Sequence, residues 1–323
     1  MRNKVIYLSI LITIVSIFAE NRFKVSYKLN CIDDILNTTE GEEKFDALMN
    51  YAGFYLTKSG DTQKGIAYLL QARDLALDIN FTDGIIRSYE SLGDIYLASQ
   101  NYSVALDYFT KRAELLEKSE NRTPYISALL KISDVCINAK NFDKSLTFLE
   151  KARFEAEKTG ENELLTRIYY YLGLAYRGKF DYKKALDYNH MALELAEKEK
   201  TSWFEGNCYN AIGDLNEMLG NYDIAFENYK KAAVIYKDFN ISTGLSVVYY
   251  NLASMHKVNG EYDKALDYLN KSLDISENLR YTDMIKENYM GLYGLYNLMK
   301  DFKNANKYYM LLNSFSTQND SLN

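Results

Sequence analysis

Apolar and polar residues follow one another along this chain in a pattern that repeats every 40 residues. Within a repeat, apolar side chains recur at steps of three and four, the spacing of one face of an amphipathic helix. The first run ends at a polar turn, residues 99–101, and a second run follows. The pattern therefore predicts that each repeat forms two helices joined by a short turn. In the repeat that starts at Thr82 the apolar positions are Ile85, Ile86, Tyr89, Leu92, Tyr96, Tyr102, Leu106, Phe109 and Leu116.

Two columns of mostly small residues keep this register through seven repeats. Because small side chains let helices approach closely, both columns are expected where the two helices of a repeat cross. Register held over many units at this period is typical of a solenoid, in which each repeat contacts only its neighbours. One column is Gly53, Gly93, Ser133, Gly173, Gly213, Ala253 and Tyr293, and the other is Gly65, Ala105, Ser145, Ala185, Ala225, Ala265 and Ala305.

A short motif marks several repeats: an aromatic residue, then Leu-Gly or Ile-Gly, then in two of them a tyrosine, with Ala-x3-aromatic in the second helix. Its residues are Tyr89, Leu92, Gly93, Tyr96, Ala105 and Phe109; Tyr169, Leu172, Gly173 and Tyr176; and Tyr209, Ile212, Gly213, Ala225 and Tyr229. The motif resembles the signature of the tetratricopeptide repeat (TPR) family. The resemblance implies an all-α fold, a TPR-type right-handed α-solenoid of seven 40-residue helix-turn-helix repeats. The usual repeat has 34 residues and a closing proline, so this chain departs from it by about one added turn in each helix.

The predicted domain organisation follows the register. Residues 1–19 are predicted as a signal peptide, residues 20–41 as an N-terminal capping segment with a helix near 24–37, and residues 42–323 as the repeat array. Residues that commonly cap helix N-termini begin several repeats, and they are predicted N-caps: Thr82, Asn162, Ser202, Ser242 and Thr282. The predicted repeats are 42–81, 82–121, 122–161, 162–201, 202–241, 242–281 and 282–321.

The first residues have the composition of a secretory leader. Arg2 and Lys4 precede a short apolar stretch from Val5 to Phe18, and the small residue Ala19 follows. The stretch is shorter than the roughly 20 apolar residues that span a bilayer. The sequence therefore predicts export to the periplasm or the extracellular space, with no membrane span in the mature chain. An uncleaved N-terminal membrane anchor is the alternative.

Both ends of the array carry a second resemblance. Residues 31–36 and 44–48, and residues 308–323 at the other end, are similar to the entry and exit segments of exported TPR regions that precede bacterial sensor histidine kinases. In those proteins a coiled coil, a membrane span and an output domain usually follow. This sequence ends at Asn323, so the resemblance implies a sensory role without catalysis in the chain itself.

Composition excludes several functions. The net charge of −6 and the isoelectric point near 5.3 argue against nucleic-acid binding, which calls for a basic surface. The three cysteines, Cys31, Cys136 and Cys208, form no metal-binding or redox motif, and the last two are expected as buried thiols. Two histidines far apart do not make a metal cluster. No cofactor, metal site or catalytic residue is predicted, and the chain is not expected to be an enzyme.

The resemblance also indicates where a partner would bind. In TPR proteins the first helix of each repeat lines the concave groove, at positions that follow steps of three, four and three. A protein or peptide is the expected partner, held by polar and aromatic side chains; an ordinary solvated helix face is the alternative for each of them. The predicted groove residues are Arg167, Tyr170 and Arg177, then Asn207, Asn210 and Asp214, then Tyr250 and Lys257.

Two classes of function remain open at this point. The first is an exported, non-catalytic scaffold that binds a protein or peptide through its concave groove. The second is the sensory region of a bacterial signalling system whose output domain, a histidine kinase, a cyclase or a transcription regulator, is on a missing segment or a separate protein. The sequence does not identify the partner or the oligomeric state.

Overall fold

The computed structural model describes residues 36–199 and 202–320. The predicted signal peptide and nearly all of the predicted capping helix near residues 24–37 lie outside this range. The described residues form α-helices, with one π-helical turn at Tyr55–Ser59, and contain no strand. The chain divides into two compact units, whose described residues are separated between Leu164 and Leu165. We call their described parts the N-terminal unit and the C-terminal unit.

Seven helix pairs make up the described chain, and the all-α repeat fold predicted from the register is confirmed. The first three pairs are α1 (Gly41–Phe54) with α2 (Thr62–Asp78), α3 (Thr82–Ala98) with α4 (Tyr102–Leu116), and α5 (Thr123–Asn138) with α6 (Phe142–Thr159). The other four are α7 (Asn162–Gly178) with α8 (Tyr182–Glu199), α9 (Ser202–Met218) with α10 (Tyr222–Asp238), α11 (Ser242–Val258) with α12 (Tyr262–Asn278), and α13 (Thr282–Leu298) with α14 (Phe302–Asp320).

The glycine column lies where the two helices of a pair cross. A Cβ added at Gly93 would lie 2.6 Å from the Phe109 ring, and one added at Gly213 would lie 2.6 Å from the Tyr229 ring. At Gly173 it would overlap the Asn189 amide. These glycines are therefore needed because a large side chain from the second helix fills the crossing.

The first and last members of the same column depart from this role. A Cβ at Gly53 would meet nothing within 4 Å, just before the π-helical turn. Tyr293 is exposed and packs its ring on Tyr309 at 5.7 Å. The predicted close crossing therefore holds for the inner pairs and not for these two positions.

The prediction that Thr82, Ser242 and Thr282 cap their helices is wrong by one residue. Each is the first residue of its helix, and the N-caps are the preceding Phe81, Ile241 and Tyr281, none of which makes a side-chain capping bond. The reason is packing: the N-cap position carries an apolar side chain that contacts the preceding helices. Phe81 meets Phe45 edge-on at 5.4 Å, and Tyr281 is fully buried.

Side-chain capping occurs instead at the second helix of most pairs. A carboxylate or amide oxygen of the residue before the helix accepts the N–H three residues on, which satisfies one of the free amides at a helix start. The five capping residues are Asp61, Asn101, Asn141, Asp181 and Asp301.

The cores of the two units differ in character. Helix α5 buries a continuous aliphatic set that includes Ile126, Leu129 and Ile132. In the C-terminal unit, fully buried side chains include tyrosines and small polar residues, among them Tyr229 and Asn288. Cys136 and Cys208 are buried free thiols. Among the described helices, none is both long and apolar enough to cross a membrane.

Candidate functional site

The predicted groove residues lie on α7, α9 and α11, the first helices of three successive pairs in the C-terminal unit. Tyr170, Arg177, Asn210 and Asp214 are buried, between 4% and 9% exposed. Arg167, Asn207 and Tyr250 are half-buried, and Lys257 is exposed. The set therefore combines buried polar groups with a partly accessible rim.

Asp214 is the centre of a buried hydrogen-bond network. Its Oδ2 accepts from the Arg177 guanidinium at 3.1 Å, and its Oδ1 accepts from the Tyr229 hydroxyl at 2.9 Å and from the Asn251 amide at 3.2 Å. Asn251 also donates to Asn210 Oδ1 at 3.1 Å. We call these five residues the Asp214 network. It ties α7, α9, α10 and α11 together, because each of its bonds joins two of these helices.

Two buried tyrosines donate hydrogen bonds at the site: Tyr229 to Asp214 and Tyr236 to Asn207. Burial raises the pKa of Tyr229, and the neighbouring Asp214 and Glu217 carboxylates raise it further. Burial also raises the pKa of Tyr236 well above its ordinary value, with smaller contributions from Tyr170, Cys208 and Asp214. Both phenols therefore stay protonated at neutral pH and act as hydrogen-bond donors.

The asparagines of α9 are held by their oxygens. Tyr236 donates to Asn207 Oδ1 at 2.7 Å, and Asn251 donates to Asn210 Oδ1. The two residues are three positions apart, so they share one face of the helix. Among the described residues, no acceptor takes a hydrogen bond from either Nδ2. The arrangement therefore presents two amide donor groups on one face of α9.

The other predicted residues take different positions. Tyr170, a predicted groove residue, is buried and packs edge-on against Phe204 at 5.3 Å. Tyr250 packs against buried residues of the sixth and seventh pairs. Arg167 and Lys257 form no hydrogen bond or ion pair with the Asp214 network. The structure thus brings Arg177, Asn210 and Asp214 together and leaves the two remaining cations outside.

Sequence reasoning missed Asn251, Tyr229 and Tyr236. A signal for Asn251 exists in the sequence: Arg177 precedes Asp214 by 37 residues, and Asn251 follows it by 37. A separation of 37 residues is three less than one repeat. At this separation, polar side chains on neighbouring first helices come into contact. Tyr229 was predicted only as the aromatic residue of the repeat motif and Tyr236 was not predicted at all; the groups that their hydroxyls contact are defined only in three dimensions.

No set of three or more His, Cys, Asp or Glu side chains is placed to bind a metal ion within the described chain.

Known proteins share this fold and parts of this sequence. The chain is 22% identical over 194 residues to the transcriptional activator NprA of Geobacillus stearothermophilus, an alignment that covers 58% of this chain and 46% of NprA. It thus spans about half the length of that relative. Aspartyl phosphate phosphatase F from Bacillus subtilis superposes with a TM-score of 0.69 at 14% identity, over 97% of this chain and 84% of that one. A Rap protein complexed with Competence and Sporulation Factor gives a TM-score of 0.60 at 16% identity, over 88% and 90% of the two chains.

The repeat itself also matches a described family. The profile of the tetratricopeptide repeat matches residues 43–118, 125–198 and 168–238, and a second profile of the same repeat matches residues 247–279. These matches cover more than half of the chain and agree with its helix pairs. The chain belongs to the tetratricopeptide repeat family.

Proposed function

We propose that this TPR protein is an exported, non-catalytic scaffold that binds a protein or peptide segment along the first helices of its C-terminal unit. The observation that carries the proposal is the pair of amide donors on α9. Asn207 and Asn210 have their oxygens bound within the protein, while no described acceptor takes a hydrogen bond from their amide N–H groups. Such donors are suited to the carbonyl oxygens of an extended peptide, whatever its side chains.

The Asp214 network supports this role by holding α9 in place relative to its neighbours. A binding face whose side chains are fixed in advance loses little entropy when the partner arrives. Arg177 belongs to this support, since its guanidinium pairs with a buried carboxylate. Of the three predicted cations, Arg167 and Lys257 are therefore the two left to meet an acidic group on the partner.

Export rests on the composition of residues 1–19. If the leader is processed as proposed, the mature protein begins at Glu20 and appears in the envelope or the medium. Mass measurement of the chain recovered from fractionated cells tests this step. A full-length chain retained in the membrane fraction would support the anchored alternative.

A sensory role is the second candidate, and the names of the relatives favour it. NprA is a transcriptional activator, and a 94-residue part of this chain is 27% identical to response regulator aspartate phosphatase J of Bacillus subtilis. A scaffold that binds a peptide can serve as a sensor when an output protein reads the bound state. Recovery of a kinase, a cyclase or a transcription regulator as the partner would select this candidate.

The experiment has two stages. The chain is first used to capture partners from an envelope extract, and the affinity of each recovered partner is then measured for variants. We expect Asn207→Ala and Asn210→Ala each to weaken binding by about fivefold, the value of one hydrogen bond of about 1 kcal/mol. Circular dichroism verifies that each variant keeps its helix content.

Asn228→Ala is the matched control. Asn228 lies on the second helix α10 of the same pair, and its amide bonds the Ile224 carbonyl at 2.8 Å. We expect it to bind like the parent chain. Unchanged affinity in the Asn207→Ala/Asn210→Ala double variant, or a loss confined to Asn228→Ala, would reject the first-helix face as the binding surface.

A further inference from the structure

The turn between the two helices of each pair contains one residue in the left-handed backbone region. Glycine occupies this position in three described turns, and polar or charged residues occupy it in three more: Gly60, Gly220, Gly260, Gln100, Lys140 and Lys300. In the fourth pair the residue is Phe180, with a φ of 62°. A bulky side chain is unfavourable in this conformation, so Phe180 is an unusual choice for the position.

Packing inside the protein does not explain Phe180. Its side chain is 77% exposed, and its one ring contact among the described residues is an edge-on approach to Tyr182 at 6.3 Å. The turn itself is held by backbone hydrogen bonds that any residue could make, from the Phe180 amide to the Arg177 carbonyl and from the Asp181 amide to the Tyr176 carbonyl. The ring is therefore displayed at the tip of the turn.

The next turn in the same unit is also apolar and exposed. Leu219 and Tyr222 flank its left-handed Gly220 and are 46% and 45% exposed, and Ile224 is 52% exposed. The Arg177–Asp214 bond joins α7 to α9 close to both turns, so the two tips are neighbours along one edge of the unit. The corresponding turns of α3–α4 and α5–α6 display no exposed large apolar side chain.

The two tips carry opposite charge. Lys183 stands exposed beside Phe180, where Asp181 is paired with Lys184 at 3.3 Å. At the next turn the exposed charge is the carboxylate of Asp223. An apolar positive tip therefore lies beside an apolar negative one, an arrangement that is complementary to itself after a half-turn rotation.

We propose that a second copy of this chain binds here, in an isologous dimer whose two-fold axis passes between the α7–α8 and α9–α10 turns. In this arrangement Phe180 of each copy packs against Leu219, Tyr222 and Ile224 of the other. The Lys183 side chain then faces Asp223 across the axis, twice. A closed two-fold pair uses the same patch on both copies, and charge complementarity fixes its register.

The size of the patch sets the strength of the association. Each copy contributes four large side chains that are 45% to 77% exposed. Together the two copies would bury about 1,000 Å², which is at the lower limit for a specific interface. The dimer is therefore a reversible one whose population depends on concentration.

Sedimentation equilibrium or light scattering on the chain as the cell processes it tests the proposal. We expect the average mass to rise with concentration toward twice the monomer mass. Phe180→Gly should weaken dimerisation at least tenfold while leaving the fold intact, because glycine favours the left-handed conformation. Lys140→Gly, which makes the same backbone change at φ 60° in the α5–α6 turn, is the matched control and should dimerise like the parent chain.

Charge reversal tests the register. Lys183→Glu and Asp223→Lys should each weaken the dimer, because each places like charges opposite one another across the axis. The double variant should restore the dimer, because its glutamate again faces a lysine. A parent chain that stays monomeric at all concentrations overturns the proposal. So does a dimer unaffected by Phe180→Gly, or a chain in which Phe180→Gly abolishes capture of a different protein or of lipid vesicles without changing the mass.

Discussion

The N-terminal and C-terminal units share one fold and join their helices by different polar contacts. In the N-terminal unit the contacts include ion pairs: Lys131 to Asp94 at 2.6 Å and Arg112 to Glu90 at 3.1 Å, both between different helices. In the C-terminal unit many of the hydrogen bonds have a neutral hydroxyl or amide as the donor, as from Asn251 to Asn210 and from Asn288 to the Ser272 hydroxyl at 2.9 Å. Glu90 and Asp94 occupy the same positions of their repeat as Asn210 and Asp214, which lie three repeats further along the chain.

This difference shows that the repeat fixes where polar side chains meet but leaves their chemistry open. The Asp at the same column takes a lysine in one unit and an arginine, a tyrosine and an asparagine in the other. In the N-terminal unit the acidic side chains at these positions pair with basic ones. In the C-terminal unit the oxygens of Asn207 and Asn210 are bound within the protein, while their amide N–H groups have no acceptor among the described residues, which is the reason for placing the proposed peptide-binding face there.

The largest effect is expected from removing the carboxylate of Asp214. Asp214→Ala removes the carboxylate that pairs with the buried Arg177 and accepts from two further donors, so the free energy of unfolding should fall by about 3–5 kcal/mol. Urea denaturation measures it. Asp94→Ala in the N-terminal unit removes an acceptor from Lys131 alone and should cost about 2 kcal/mol. Equal losses would show that the two networks stabilise the fold alike.

The next effect comes from the glycine column. Gly173→Leu should overpack the α7–α8 crossing against Asn189 and cost roughly 1–3 kcal/mol. Because a repeat array is coupled between neighbours, hydrogen exchange should rise first in the fourth pair and beside it. Gly53→Ala is the control in the N-terminal unit, where an added Cβ meets nothing within 4 Å, and it should stabilise the fold by about 0.4–1 kcal/mol. Exchange that rises uniformly in Gly173→Leu would contradict the local account.

Alkaline pH should separate the two units. Tyrosines with a raised pKa include Tyr102 in the N-terminal unit and, in the C-terminal unit, Tyr209, Tyr229, Tyr236, Tyr281, Tyr289, Tyr296 and Tyr308. A raised folded pKa gives stability that is complete below the unfolded value of about 10 and is lost as the pH rises above it. Each such tyrosine costs up to about 1.4 kcal/mol per pH unit in that window.

Hydrogen exchange at pH values up to 11 measures this loss unit by unit. The C-terminal unit should lose protection first, and Tyr229→Phe should reduce its dependence on pH because one buried phenol no longer ionises on unfolding. Earlier loss in the N-terminal unit would oppose the assignment.

The smallest effect is expected at Arg112, where the column otherwise carries alanine in most repeats. The residue is 95% buried and its guanidinium pairs with Glu90, but its Nε and Nη1 have no partner among the described residues. Arg112→Met removes these unsatisfied donors and leaves a partly exposed Glu90, so we expect stabilisation by about 1 kcal/mol. Arg122→Met, whose parent side chain bonds Glu155 and two carbonyl oxygens, should destabilise instead. A loss of stability in Arg112→Met would indicate a role for the unpaired donors.

Prediction from sequence succeeded where one position acts through its local register. The spacing of Gly93, Gly173 and Gly213 placed the helix crossings, because a small residue at a fixed offset has one steric use in a helix pair. It failed at Thr82, Ser242 and Thr282, since residue type alone favours capping while the preceding apolar side chain decides where the chain enters the helix. Residue type does identify the caps of the second helices, where Asp or Asn precedes the first aromatic residue in several pairs.

The candidate site was predicted only in part for a related reason. Steps of three and four selected Arg177, Asn210 and Asp214, which the structure joins in one hydrogen-bond network, yet Arg177 was predicted as a group open to a ligand. Its partner is 37 residues away and lies on another helix, so helical spacing within one segment does not reveal it. Tyr236, which orients Asn207 from 29 residues away, was hidden in the same manner.

The sequence by itself determined the number of helix pairs, their order and the small residues at their crossings, because these depend on distances within one repeat and recur seven times. Only the tertiary structure decided which polar groups are satisfied inside the protein and which remain as donors. Hydrogen bonds depend on atoms from different repeats meeting at about 3 Å, and a period in the sequence does not specify that distance. The exposed Phe180 shows the same division: the register places it in a turn, and the fold leaves its ring uncovered.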